Sequence, residues 1–229
     1  MLEHSPFSST EPLTELSLEE LSLRIASADP TPGGGSVSAL VGSLGAALGC
    51  MVWRLTESKG TGRHDDSADL DSSHRLTRSI KELQSLSARL RANVDRDAQS
   101  YEGVLTAMRL PKATDADKAA RRAAIEAATR VATEVPLETA RLCLQVMEAC
   151  LAASRQGHPG AITDAGVGLL TAFAGVNGAL YNVQINLSGL SDEAYAAAVS
   201  TEVESLRGRA ASTWRDADAH IRATLASQQ

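Results

Sequence analysis

PTPGGGSVSALVGSLGAALGCMVW, residues Pro30–Trp53, holds no Asp, Glu, Lys or Arg, and how that run is accommodated decides the fold. It is long enough to cross a bilayer, for which about 20 apolar residues suffice. A second uncharged run, Ala165–Ser191, has the same reach. Content argues against a membrane for both. The second run carries Asn177, Asn182, Gln184 and Asn186, amides that are costly in hydrocarbon, and the first is rich in Gly, Ala and Ser. Lys/Arg clusters and aromatic anchors flank neither. The expectation is two central helices surrounded by other helices. Gly42, Gly45, Ala46 and Gly49 recur at three- and four-residue spacing, which lets a neighbouring backbone approach closely, within the bundle or across a dimer.

Outward from this run the helical period dominates. Leu16, Leu18, Leu21 and Ile25 predict a short amphipathic helix over Leu13–Ala28, stopped by Asp29-Pro30-Thr31-Pro32-Gly33-Gly34-Gly35. A second helix is expected over Ser36–Ser58, then a polar loop over Lys59–Leu70. Leu76, Ile80, Leu83, Leu86, Leu90, Val94, Tyr101, Val104 and Leu105 place a long third helix over Asp71–Met108. A fourth starts at Thr114 or Asp115 and runs to Glu134, where Pro136 kinks or restarts it through Leu137–Arg155. Gly157-His158-Pro159-Gly160 breaks the chain, Thr163/Asp164 caps a fifth helix reaching Leu187, and Ser191-Asp192-Glu193 opens a last one to near Ser227. No stretch has the alternation of a strand. The fold class is all-α: a bundle of about six helices, several of them long and antiparallel. Residues 1–12, rich in Ser and Pro, read as a disordered arm, and 13–229 as one helical domain.

Composition agrees. Of 229 residues 43% are hydrophobic but only 3% aromatic, and small, straight-chain apolar residues favour close-packed helices over sheets. The formal net charge of −6 argues against nucleic acid or an anionic membrane as partner. Cys50, Cys143 and Cys150 form no C-x-x-C pair and read as buried reduced thiols, hence a cytoplasmic protein; no secretory signal opens the chain. His4, His64, His74, His158 and His220 are scattered, so a metal site is not expected.

Four features can carry chemistry. Gly33, Gly34, Gly35 and Ser36 lead into a helix whose first N–H groups attract anions or ligand carbonyls, or they form only a tight corner between helices. Asp97 and Tyr101 are four apart and share a helix face with Val94 and Val104. Asp97 at the edge of that apolar face would be poorly solvated, and its pKa raised toward that of a general acid/base; alternatively it is an exposed charge paired with Arg96 or Arg91. Asp164 is a helix cap or a site residue. Asn182 and Asn186, four apart on an apolar helix, need partners: another helix's backbone, or a polar heterocycle.

Taken in order, DPTPGGGSVSAL (29–40), VDRDAQSY (94–101), Leu110-Pro111-Lys112, Val135-Pro136-Leu137, Thr163-Asp164 and NVQINL (182–187) resemble the formiminotransferase-cyclodeaminase C-terminal domain family, which includes stand-alone methenyltetrahydrofolate cyclohydrolases. The resemblance spans nearly the whole chain from Leu13. It implies a homodimeric helical bundle, a folate substrate and no cofactor beyond tetrahydrofolate as substrate carrier. The second Asp of the family's D-x-D-A motif, its catalytic carboxylate, matches Asp97. By the same resemblance Lys112 is expected to bind folate carboxylates, Gly33–Ser36 the ligand's polar edge, and Asn182 and Asn186 the pterin or neighbouring helices.

The chain departs from the family at Glu57–Arg63, where a basic-aromatic run is usual, and at Gly157–Gly160. If those loops close over substrate, substrate or activity changes. Without a fused transferase portion, cyclohydrolysis of 5,10-methenyltetrahydrofolate to 10-formyltetrahydrofolate is expected over formiminotetrahydrofolate cyclodeamination. A non-catalytic helical dimer binding folate or a partner is the alternative of another class.

Overall fold

The structure, a computed structural model, describes residues 11–59 and 66–227, with side chains of the second stretch from 73 onward. Those residues form six α-helices and no strand: α1 (Leu18–Ile25), α2 (Gly34–Lys59), α3 (Asp66–Met108), α4 (Asp115–Gln156), α5 (Ile162–Leu187) and α6 (Glu193–Ala226). The fold class is as expected. Residues 1–10 of the expected arm, and 60–65 of the expected loop, lie outside the described residues.

Several boundaries differ. The first helix is not Leu13–Ala28: Leu13–Glu15 make a 3-10 turn, and α1 starts only after Ser17. There the Ser17 hydroxyl accepts from the Glu20 N–H while Glu20 bonds back to Ser17, so the start is set by a capping box. α3 begins at Asp66, inside the expected loop. Asp164 does not cap α5. It sits in the first turn, where a carboxylate still complements the helix dipole, and Ala161 occupies the cap position without a side-chain bond.

Consecutive long helices run antiparallel. α2 packs on α3, α4 and α5, and α5 on α2, α4 and α6. The α2 packing follows a seven-residue interval. Gly42 faces Leu90 of α3 and Cys143 of α4, and Gly49 faces Leu83 and Cys150. Gly35, seven residues earlier again, faces Asp97, in step with Leu90 and Leu83. A methyl group at any of the three would overlap its neighbour, so the glycines are what admit the α3 and α4 side chains to the α2 backbone. Burial pushes the Cys143 and Cys150 thiols up to about 12, which leaves them protonated packing groups.

α4 neither breaks nor restarts at Pro136. Proline has no N–H, so the Ala132 carbonyl, four residues earlier, loses its helical partner. Asn186 of α5 supplies the replacement: its Nδ2 donates to the Ala132 oxygen at 2.7 Å. Of the two alternatives for Asn186, the structure holds the helix-to-helix bond.

The uncharged helices are not surrounded, as the sequence suggested. Each keeps one bare apolar side. On α5 Val167, Leu170, Tyr181 and Ile185 are exposed, the last two by 63% and 68%. On α2 Leu44 is 52% exposed and Met51 shares its face. The windows of these helices long and apolar enough for a bilayer are 61% and 50% buried inside the bundle.

Asn186→Ala should cost about 1–3 kcal/mol of stability, the penalty for stranding a buried carbonyl. In a Pro136→Ala background, residue 136 regains its N–H and the same substitution should cost less than about 1 kcal/mol. Chemical denaturation of the four proteins checks this; equal costs in both backgrounds would remove the proline account.

Candidate active site

The site is assembled where α2 starts, beside the middle of α3 and the end of α5. Gly33 accepts the Val37 N–H through its carbonyl, which closes the first turn, and the Gly34 carbonyl accepts from Ser38 Oγ at 2.6 Å. The Asp97 carboxylate lies over Gly35, and Ser36 Oγ donates to its Oδ2 at 3.0 Å. The same hydroxyl is 2.9 Å from the Val94 carbonyl oxygen. Asn182 stands across from Gly34, with Nδ2 3.2 Å from where a Cβ would be. That Nδ2 donates to the Gly178 carbonyl at 2.9 Å, and Oδ1 has no donor among the described residues. Gly33, Gly34, Gly35, Ser36, Asp97 and Asn182 are therefore brought together.

The pairing alternative for Asp97 does not occur. Arg96 donates to Glu138 of α4 at 2.7 Å and to Asn93 at 2.6 Å, and Arg91 lies in a separate α2–α3 groove with Arg54 and Met51. Burial is the main influence on the half-buried Asp97 carboxyl and holds it above the ordinary carboxylate range; the Ser36 hydroxyl and N–H pull it back in part. A carboxyl whose pKa is raised by burial, with no ion-pair partner among the described residues, is suited to exchanging protons. The other Asp of the pair has a different task. Asp95 accepts from the Leu13 N–H and, at 2.8 Å, from Thr14 Oγ1, tying the N-terminal turn to α3.

The remaining residues stand apart. Tyr101, one turn beyond Asp97, is 40% exposed. Lys112 is exposed in the α3–α4 connection, at the same end of the bundle as Asp97. Asp164 lies 18 residues before Asn182 on α5, roughly 27 Å away by helical rise, at the opposite end. Asn186 is turned to α4.

Of the segments that depart from the family, the described residues Glu57–Lys59 and Gly157–Gly160 are also distal, and residues 60–63 lie outside the described residues. The His158 N–H donates to Thr56 Oγ1 at 2.8 Å, so Gly157–Gly160 packs on the last turns of α2, more than roughly 30 Å along that helix from Gly34. Neither these residues nor Glu57–Lys59 border the Asp97 carboxyl. A cleft of about 580 Å³ opens beside the proline turn. It is lined by Asp29–Pro32, Arg24, Glu102 and Arg109, on the α3 face turned away from Asp97.

The molecule is of the class of helical bundles that carry one desolvated acid at a glycine-rich helix start. Residues 17–205 match the family described as formiminotransferase-cyclodeaminase. A methenyltetrahydrofolate cyclohydrolase of Methylorubrum extorquens is 37% identical over 186 residues, 81% of this chain and 86% of the relative. The formimidoyltransferase-cyclodeaminase of Sus scrofa is 36% identical over 182 residues, 80% of this chain. The chain spans only 32% of that relative's length. The formiminotetrahydrofolate cyclodeaminase structure from Thermotoga maritima superposes with a TM-score of 0.78 at 22% identity, covering 92% of this chain and 98% of that one. The chain belongs to the formiminotransferase-cyclodeaminase family.

Because the folded pKa of Asp97 is raised, its stabilising contribution is complete below the unfolded value and is lost as pH rises through the folded one. The melting temperature of Asp97→Asn minus that of wild type should therefore grow from about pH 4 upward and level off once Asp97 is ionised. Thermal melts across that range check the sign; a difference that shrinks with rising pH would mean the carboxylate is stabilised by the fold.

Proposed function

We propose that the protein is a methenyltetrahydrofolate cyclohydrolase in which Asp97 moves the protons. The observation that carries this reading is the counter-ion-free, half-buried Asp97 carboxyl against Gly35 and Ser36. The 37%-identical cyclohydrolase, 86% of which is covered by this chain, supports the choice of reaction.

The reacting atom is the carbon held between N5 and N10 of 5,10-methenyltetrahydrofolate. Ionised Asp97 takes a proton from water as the water oxygen bonds to that carbon, giving a tetrahedral intermediate. The protonated carboxyl then returns its proton to N5 as the carbon–N5 bond breaks and the carbon–oxygen double bond forms; the intermediate's hydroxyl proton leaves to solvent, so the formyl group stays on N10 and one proton is released overall. One group with a pKa near the working pH serves both steps, and desolvation of Asp97 tends that way. The Asn182 Oδ1 and the glycine turn supply an acceptor and N–H donors for the pterin edge, and Lys112 a cation for the glutamyl carboxylates.

Cyclodeamination of formiminotetrahydrofolate is the second reading, favoured by the name of the Thermotoga protein, whose length this chain matches. The same acid would then protonate departing ammonia. Purified protein should accelerate loss of methenyl absorbance, and Asp97→Asn should retain about 1% of that rate or less while keeping its helicity. No acceleration over buffer with the methenyl substrate, alongside ammonia release from the formimino one, would transfer the assignment to the second reading. Failure with both would leave a binding scaffold.

The assembly belongs to the same proposal: two copies meet through the bare sides of α2 and α5. Val37, Val41, Leu44, Leu48 and Met51 repeat at alternating four and three residues, as do Val167, Leu170 and Ala174, and Tyr181 and Ile185 continue the α5 face. No charged residue interrupts either row, and a contiguous apolar patch of that kind marks an interface. Sedimentation should find a dimer at micromolar concentration, and Leu44→Arg with Ile185→Arg should give a folded monomer. A wild-type monomer would end the proposal. With three free thiols, the dimer is expected in a reducing, cytoplasmic setting.

A further inference from the structure

The Ser36 hydroxyl has one hydrogen and two acceptors within reach. Its Oγ lies 2.9 Å from the Val94 carbonyl oxygen and 3.0 Å from Asp97 Oδ2, and the residue is 1% exposed, so bulk water does not compete. A hydroxyl donates one hydrogen bond and accepts two. Which acceptor it serves depends on the charge of Asp97. Beside a carboxylate, the O–H turns to Oδ2, because a bond to an ionised acceptor is the stronger one. Beside a neutral carboxyl, the O–H turns to Val94 and an Oγ lone pair faces the acid. Val94 lies within α3, so its carbonyl keeps the helical bond in either case.

We propose that Ser36 is a positioning residue for proton transfer by Asp97, a hydroxyl rotor that satisfies both protonation states by turning between Asp97 Oδ2 and the Val94 carbonyl. No covalent bond changes at Ser36; only its hydrogen swings. The proton itself travels between substrate and Asp97, so the inference rests on the reading of Asp97 as the proton carrier. What the rotor adds is that the ionisation of a half-buried acid requires no movement of heavy atoms, which keeps the carboxyl in one place through both steps of the reaction.

Other charges around Asp97 are directed elsewhere. On α3, Asp95 is held by Leu13 and Thr14, and Arg96 is bonded to Glu138. Tyr101 is one turn away and partly in solvent. On α4, Glu138 is also bonded to Arg89, and Glu134 accepts from Tyr195 Oη of α6. The first half of α2 carries no titratable group, and the last half of α5 carries only the solvent-facing Tyr181. Ser36 is thus the one side chain bonded to the acid among the described residues.

The test is a carbon-13 NMR titration of the aspartate side-chain carboxyls, with the Asp97 resonance identified by its loss in Asp97→Asn. In Ser36→Ala the ionised form loses its side-chain donor, so the Asp97 midpoint should rise by about one unit. Ser36→Thr, which restores a hydroxyl, should return it close to wild type. Ser36→Cys, with nearly the original volume and a weak donor, should shift it in the same direction by less, and serves if the alanine variant does not fold. The acidic limb of the kcat/KM profile, where Asp97 must ionise to act as base, should move upward with the NMR midpoint. An Asp97 midpoint that is unchanged or lower in Ser36→Ala overturns the proposal. A midpoint that moves as expected in a protein that turns over neither folate keeps the rotor and rejects the proposed reaction.

Discussion

The close approach of α3 and α4 to the α2 backbone is the constraint from which the rest of this structure follows. Gly35, Gly42 and Gly49 make a groove along one side of α2, and Asp97, Leu90 and Leu83 fill it from α3 at the same seven-residue interval. Two of the three positions are ordinary core packing. The third puts a carboxyl where a leucine would otherwise sit. A carboxyl in a leucine's place loses water. It has lost it at the one turn of α2 whose N–H groups are not used within the helix, so the ionised form still has donors.

That location balances two opposing effects. Burial favours the neutral acid. The unpaired N–H groups and the Ser36 hydroxyl favour the ionised form. At the junction of both, the net displacement is upward but partial. A counter-ion would abolish this balance, and Arg96, the adjacent residue, is held off by Glu138 and Asn93. Asn93 is itself fully buried, with Nδ2 bonded to Thr139 of α4 at 3.1 Å, so the arginine is anchored from a rigid neighbour.

The helical class and most boundaries of the long helices were legible from periodicity and breakers. The start of α1 was legible too and was missed: Ser17 followed by Glu20 is a capping box, whereas leucine spacing drew the helix back to Leu13. Continuity of α4 through Pro136 could not be read locally, because the compensating amide, Asn186, lies 50 residues on. The α2 and α5 runs do pack against the other helices, but their being surrounded was an inference from charge alone, and one side of each is open. Asp97 was found from its apolar helix face, while its agreement in step with Leu83 and Leu90 was a sharper signal left unused. Asp164 and Asn186 show the opposite case: both stand in segments that resemble the family, yet resemblance carries no direction, and neither side chain joins the Asp97 cluster.

The distance between the acid and the turn at Gly157–Gly160 has a consequence for how such a chain can change. α2 separates the two ends of the bundle, and the turn there is pinned to Thr56 without reference to Asp97. A side chain at Gly35 would overlap the Asp97 carboxylate, and one at Gly157 would overlap the Ala153 carbonyl and Val52, whereas Gly33 has only an ordinary contact. Each end of α2 is therefore closed by one glycine, and a change at the Gly157 end acts at a distance from Asp97.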